Sequence, residues 1–468
     1  MNFPIKIVFR NILRNRRRSL MTGSAIAAGA MALLLFGGYI RYIFAGLETG
    51  AVQSSGHLTV YKSGYYEFGA GNPAAYGIDD YQGLMRLIGD DPVLKPMLNV
   101  LTPTQSLMGI AGNFSGENDA SKTFMGVGLI PSDRDRMRLW DEHDTRAPQA
   151  PDHRMSDTEE TKGLIGFGMA RLLGLCGALS LKDCPAQPTD AAKAESAKSP
   201  VDAELVGLAQ RDGDSKAHDA GMPEIQLLAA TAQGAPNVVG MSVAGVDRQG
   251  VRELDDNLII MDLGLAQQLV YGRGPHDVTG VVLQLHRTED LPVARARLLQ
   301  LFKEHGLSLE VRDFGELNPF YGQVVQMFSG IFLFISMVMG MIVLFAVVNT
   351  MTMNVMERTN EIGTIRAMGV RRSGIRLQFT LEGFLIGAIG AAIGAVLAVT
   401  IAALVNGAAL TWIPPGNASP VPLRIDILGH PGLLIGAWVG LVVVATVAAL
   451  MPANRGARLS VVDALRHI

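Results

Sequence analysis

Leu20-Met21-Thr22-Gly23-Ser24-Ala25-Ile26-Ala27-Ala28-Gly29-Ala30-Met31-Ala32-Leu33-Leu34-Leu35-Phe36-Gly37-Gly38-Tyr39-Ile40 is a run of 21 residues without one Asp, Glu, Lys, Arg or His. At about 1.5 Å per residue, a helix of that length covers a hydrocarbon core of about 30 Å. A basic segment precedes it, with Lys6, Arg10, Arg14, Arg16, Arg17 and Arg18. A secretory signal begins the same way, but its apolar core is only roughly 7–15 residues long. No convincing A-x-A cleavage site follows Ile40, so the run reads as an uncleaved anchor. Working outward, three more long apolar runs cluster at the far end: Val324 to Val348, Phe379 to Val405, and Leu433 to Met451. The mostly polar stretch between Ile40 and Val324 contains nothing comparable and must fold outside the bilayer.

Orientation follows from Lys and Arg in the segments flanking the spans. The N-terminal segment has six basic residues and no acid. The loop between the second and third runs has Arg358, Arg366, Arg371, Arg372 and Arg376 against Glu357 and Glu361. The tail has Arg455, Arg458 and Arg466 against Asp463. Together these segments take 14 of the 40 basic residues and 3 of the 43 acidic ones, which places all three on the cytoplasmic side. The expected fold class is a membrane α-helical protein with four transmembrane helices and a large α+β periplasmic domain inserted between helices 1 and 2. Both termini are cytoplasmic in the bacterial inner membrane. The expected boundaries are a basic segment at 1–19, helix 1 at 20–45, the external domain at 46–323, and helix 2 at 324–352. A cytoplasmic loop follows at 353–376, then helix 3 at 377–406, an external loop at 407–432, helix 4 at 433–452 and the tail at 453–468.

The only two cysteines, Cys176 and Cys184, fall in the external domain, where an oxidising compartment lets a disulfide persist. Closing so small a loop stabilises by about 2–3 kcal/mol on loop-entropy grounds. The alternative is two free buried thiols. No metal site is expected there, since no His or second Cys pair lies near in sequence.

The external domain reads as two pieces. His57 to Tyr61 alternates and is β-rich, and strand-like runs recur at Asn257 to Met261, Thr279 to Leu285 and Leu307 to Val311. Leu263 to Val270 and Leu291 to Phe302 read as helices between them, giving an α+β module built from both ends of the insert. The middle, about 112–224, differs. Pro185 to Pro223 has few large apolar residues and is expected to be a flexible loop. Gly163 to Gly177, rich in Gly and Leu, reads as a helix or loop exposed to a partner or to lipid.

Between the second and third runs stands Met356-Glu357-Arg358-Thr359-Asn360-Glu361-Ile362-Gly363-Thr364-Ile365-Arg366-Ala367-Met368-Gly369. On a helix, Glu357 and Glu361 share one side while Ile362 and Ile365 lie near another. Spacing alone is equally consistent with a solvated cytoplasmic loop. The stretch resembles the E-R-x-x-E-I-G-x-x-R-A-x-G signature of the FtsX/MacB/LolC superfamily of ABC-transporter permeases. The resemblance extends over the chain's layout and to its end, where Pro452 to Leu459 and Asp463 to Arg466 are similar to the family's P-A-x-R-A-A-R-L-x-P-x-x-A-L-R tail. Gly456 and Val461 depart from that pattern. Gly240 to Leu285 also resembles the returning half of the family's periplasmic domain.

The resemblance implies that this segment is a coupling helix docking on a separate ATPase. Glu357, Arg358, Glu361 and Arg366 would make polar contacts to the ATPase, Ile362 would belong to the same coupling surface, and Gly363 and Gly369 would permit close approach and a helix end. The sequence has no G-x-x-x-x-G-K-[ST] loop, so ATP and Mg are expected on the partner ATPase, and no cofactor on this chain. Expected partners are two copies of an ABC ATPase subunit, a second permease, identical or paralogous, and membrane lipids. A periplasmic adaptor or a lipoprotein carrier could join them. In the third run Gly383, Gly387, Gly390 and Gly394 form small-xxx-small pairs fit for helix packing, a permease–permease contact among them. Glu382, at the cytoplasmic end of that run, is expected to reach the interface or pair with a basic residue.

The implied function is a permease subunit of the mechanotransmission type, moving a lipoprotein or lipid from the membrane. The alternatives are MacB-type efflux with a periplasmic adaptor and outer-membrane duct, and FtsX-like regulation of a cell-wall hydrolase. Activity as an enzyme is not expected, because no nucleophile or metal-ligand spacing stands out, and His57, His143 and His153 read as surface or packing residues. No nucleic-acid partner is expected either, since the basic residues lie at the membrane face.

Overall fold

The computed structural model describes residues 14, 16–71, 73–114, 120–143, 145, 154–181, 184, 222–249, 252–272, 276–412 and 421–459. The chain divides into an inserted unit, chiefly Gly46–Gly322, and a helical unit assembled from the segments on either side.

Helix α1 (Arg16–Ser55) runs well beyond its apolar stretch and stops where Gly56 adopts φ +67°. A Cβ there would press on the Val282 side chain at 2.5 Å and on the Leu283 carbonyl oxygen at 2.8 Å, so only glycine permits the turn into β1 (Leu58–Lys62). Then come α2 (Tyr81–Gly89), β2 (Leu98–Asn113), β3 (Ala120–Leu129), α3 (Pro131–Arg138), β4 (Lys162–Ile165) and α4 (Phe167–Leu172). The returning half contains β5 (Glu224–Ala230), β6 (Pro236–Val246), β7 (Leu258–Asp262), α5 (Leu263–Tyr271), β8 (Gly280–Leu285), α6 (Leu291–Glu304) and β9 (Leu309–Asp313). The strands and helices read from both ends of the insert thus lie within a residue or two of β1, β7, α5, β8, α6 and β9.

Pairing divides the inserted unit into two sheets that share one long strand. β2 pairs with β3 and with β5, β3 with β7, β7 with β4, β4 with β6, and β6 with β5, which closes a six-stranded ring. The first part of β2, Leu98 to Thr104, instead pairs with β8, which continues through β1 to β9 as an open sheet. A 16-residue strand is about 50 Å long at its usual rise, enough to serve both. Closure removes free strand edges from the ring, and alternate residues fill it: Leu107, Phe124, Ile225, Leu227, Met241, Ile259 and Met261 are all buried. On the open sheet, α2 and α6 cover Leu58, Val60, Val281 and Leu283 with Ile88, Leu298 and Phe302.

Gly163 to Gly177 departs from the expectation of an exposed segment. Leu164, Ile165, Met169, Ala170 and Leu173 are fully buried, because β4 is an inner strand and α4 packs on the ring's core. The Asp255 carboxylate accepts from the backbone N–H groups of Phe167 and Gly168 at 3.1 and 2.8 Å, satisfying donors at the start of α4. Cys176 and Cys184 are joined, with Cα atoms 6.1 Å apart. The expected flexible loop at 185–223 lies outside the described residues except for Met222 and Pro223.

His57 is a packing residue, fully buried against Trp140, with ring centroids 4.9 Å apart. Its Nδ1 accepts from the Leu285 N–H at 3.0 Å, so the proton sits on Nε2 and points at Thr288 Oγ1, 3.2 Å away. Thr288 in turn donates to Glu48 at 2.6 Å. Burial pushes the His57 imidazole down to about 4. His143, hydrogen-bonded to Glu48 at 3.3 Å, is held above its ordinary value by that carboxylate.

The helical unit contains α7 (Pro319–Glu357), α8 (Thr359–Ala367), α9 (Arg372–Gly407) and α10 (Pro431–Arg458). Among the described residues four helices, α1, α7, α9 and α10, are long and apolar enough to cross a membrane. At 39 residues, α7 is nearly twice as long as the ~30 Å hydrocarbon core requires.

The four glycines of α9 are filled by this chain's own helices, not by a second permease. A Cβ on Gly383 would strike the Ala449 methyl, and one on Gly387 would meet the Ala445 methyl at 2.7 Å, both on α10. A Cβ on Gly390 would meet the Gly23 carbonyl oxygen at 3.0 Å, and one on Gly394 the Ala30 methyl at 2.6 Å, both on α1. Two consecutive small-residue pairs let α9 lie against α10 at one end and α1 further along.

Candidate functional site

The signature segment occupies the end of α7, all of α8 and the turn into α9. Arg358 alone separates α7 from α8, with φ −102° and ψ 16°. Thr359 Oγ1 donates back to the Met356 carbonyl at 2.7 Å, which satisfies an acceptor at the break. At the far end Gly369 adopts φ +93°, a left-handed conformation that favours glycine after a helix, and the chain reverses into α9.

The residues of α8 divide by face. Ile362 is buried with Val355, Ile375, Phe379, Ala453 and Ala457, and Gly363 is buried beside it. Arg358 is also buried, 4% exposed, and points at the fully buried Glu382 of α9. The expectation that Arg358, Ile362 and Gly363 contact another protein is therefore corrected: apolar burial of Ile362 turns that side of the helix inward, and Arg358 goes with it. Asn360, Thr364, Ala367, Met368 and Val370 lie on the exposed side, with Met368 73% exposed.

The remaining charges of the segment bind other parts of the same chain. Glu361 receives Arg14 at 2.8 and 3.0 Å, and Glu357 pairs with Arg18 at 2.5 Å. Arg366 donates to the carbonyl of Ala457 at 3.4 Å and to that of Leu459. Glu357 and Glu361 stay about half exposed, and exposed pairs of this kind contribute only about 0–1 kcal/mol. Their effect is directional: they hold α8 beside the start of α1 and the end of α10. The tail pattern is seen only through Leu459, and Asp463 to Arg466 lie outside the described residues.

Asn354 was not singled out by its sequence, although it stands one helical turn before Arg358 and shares its face. It is fully buried. The basic residues of the N-terminal segment carried a topology signal but none that pointed to the acids they meet. Among the described residues no group of three or more His, Cys, Asp or Glu side chains could hold a metal ion.

Residues 331–461 match the family described as FtsX-like permease C-terminal, a span that contains the whole signature segment. The chain is 30% identical over 169 residues to the macrolide export ATP-binding/permease protein MacB of Escherichia coli, covering 36% of this chain and 26% of that protein. It is 30% identical over 200 residues to the uncharacterized ABC transporter permease YknZ of Bacillus subtilis, covering 42% of this chain and 46% of that one. The chain thus spans less than half the length of these relatives. A solved extracellular domain of the YknZ transporter from Gram-positive bacteria aligns to 55% of this chain and 99% of its own, at 15% identity and a TM-score of 0.27. Residues 331–461 thus carry an FtsX-like permease C-terminal domain, and the chain is similar to ABC transporter permeases of the FtsX/MacB type.

Proposed function

We propose that the chain is a mechanotransmission permease, in which an ATPase pushes on α8 and the helices carry that movement to a domain outside the membrane. The observation that carries this reading is the arrangement of α8, which is fastened to its own chain on one side while presenting the uncharged tip of Asn360, Thr364, Met368 and Val370 on the other. That tip is the docking surface in this reading. The sequence has no phosphate-binding loop, so ATP and Mg belong to an ATPase whose two copies lie outside these residues. Both termini face the cytoplasm and the inserted unit faces the periplasm. Its cargo is a lipoprotein or lipid drawn from the inner membrane, and the permease works with a second copy or a paralogue. A second reading is efflux with a periplasmic adaptor and an outer-membrane duct; of its elements, export is the one that the MacB relatives are named for.

The deciding experiment is isolation of the complex in detergent with its ATPase, using Met368→Glu and Val370→Glu. Both side chains are exposed, so the variants keep the wild-type unfolding midpoint while ATPase recovery falls at least tenfold. Undiminished recovery with both variants would refute the docking surface. In the same preparation, mass spectrometry separates the two readings: bound lipoprotein or lipid supports the first, and a bound adaptor supports the second.

A further inference from the structure

Asn354, Arg358 and Glu382 form a buried polar cluster that takes no part in the docking surface. Their exposures are 0%, 4% and 0%. Arg358 Nη1 and Glu382 Oε2 are 3.5 Å apart, longer than the roughly 2.7–2.9 Å of a charge-assisted hydrogen bond. Among the described residues, the three guanidinium nitrogens, both Glu382 oxygens and both amide atoms of Asn354 have no hydrogen-bond partner. Buried apolar residues lie before and after these positions along α7, α8 and α9: Val347, Met351 and Ile386 in one cluster and Val355, Ile362 and Phe379 in another.

Two charges withdrawn from water and this poorly hydrogen-bonded stabilise less than apolar side chains of the same size would. Packing stability therefore does not account for the cluster, and an acid such as Glu382, at the cytoplasmic end of a membrane helix, is by default a functional hypothesis. Its place in the chain supplies the role. Arg358 is the residue at the α7–α8 joint, and Glu382 reaches it from α9, on the other side of α8.

We propose that Arg358 and Glu382 are positioning residues that tie the α7–α8 joint to α9, so that a push on α8 moves both helices together. The 3.5 Å contact can close into a bidentate pair, which gives the displaced joint an interaction to gain. This inference rests on the coupling reading above.

The test is the double variant Arg358→Met, Glu382→Met in lipid nanodiscs, with the ATPase isolated alongside the wild-type chain. Three quantities are read: unfolding midpoint, ATPase recruitment, and permease-dependent stimulation of ATP hydrolysis. The expected result is an unchanged or raised midpoint and recruitment within twofold of wild type, with stimulation reduced at least tenfold. Wild-type stimulation would overturn the proposal and leave the pair a structural contact. Loss of recruitment would also overturn it, by returning Arg358 to the docking contact. If the double variant does not insert, Glu382→Gln, which keeps size and shape, decides by the same readouts. Failure of the wild-type chain itself to recruit an ATPase would sink the coupling reading, an outcome distinct from those above.

Discussion

Replacing Gly394 with alanine tests whether the crossing of α9 and α1 depends on the absence of a side chain. The new methyl would lie 2.6 Å from the Ala30 methyl and 3.0 Å from the Ala27 carbonyl carbon, where carbon atoms normally rest about 3.5–4.0 Å apart. Relief requires the two backbones to separate by about 1 Å, and overpacking of this kind costs about 1–3 kcal/mol. Alanine also favours the helix over glycine by about 0.5–1 kcal/mol, which masks part of the loss. Gly440 of α10 supplies the control, since among the described residues nothing lies within 4 Å of a Cβ there. Gly440→Ala should gain that propensity term without the clash, so the two variants differ by about 1–3 kcal/mol. Unfolding by SDS in mixed micelles can follow Trp438, whose indole N–H donates to the Ala388 carbonyl across α9 and α10 at 3.2 Å. Equal stabilisation by Gly394→Ala and Gly440→Ala would refute the packing argument.

Protonation of His57 should destabilise the inserted unit in acid. Its folded value of about 4 lies below the ordinary 6.5, so the unfolded chain binds the proton first and stability falls as pH drops from about 6.5 to 4, by on the order of 3 kcal/mol. His143, raised by Glu48, acts in the opposite sense, contributing stability below its unfolded value that is lost as pH rises. Urea unfolding followed by Trp140 fluorescence at pH 7 and pH 5 reads the net change, and a midpoint that His57→Gln leaves equally pH-dependent would count against this account. Replacing Cys176 and Cys184 with serine should cost about 2–3 kcal/mol, checked by the same unfolding curves, while two alkylatable thiols in freshly isolated protein would show that no bond forms. Glu361→Lys should break the pair with Arg14 and place two cations together; recovery of ATPase binding on adding Arg14→Glu would show that the pair orients α8, and no effect of Glu361→Lys would show that it does not. For topology, single cysteines at Ser63 and Ser373 in a Cys-free variant should label from opposite sides of the membrane, and labelling of both from outside would overturn the orientation.

Local pattern alone determined much of this protein. A hydrocarbon core of fixed thickness makes uncharged runs near Leu20–Ile40 and Val324–Val348 legible one by one, and short β-rich apolar runs exposed β1, β8 and β9 of the open sheet, while its long strand β2 was not read. The signature was legible as a motif through its resemblance to a family, which also implied Gly369 as a helix end. What only the tertiary structure decided is non-local. Closure of the six-stranded ring depends on β3 meeting β7 and β4 meeting β6, pairings between distant segments that no local period encodes. For the same reason Gly163 to Gly177 read as exposed although Leu164, Ile165, Met169, Ala170 and Leu173 within it lie in the core. The charges of the signature illustrate the limit most directly: Glu361 meets Arg14 across a separation of 347 residues, and Arg358 meets Glu382 on another helix. A helical period places those side chains on faces, but only the packing of α8 against α9 and α10 settles which face turns inward.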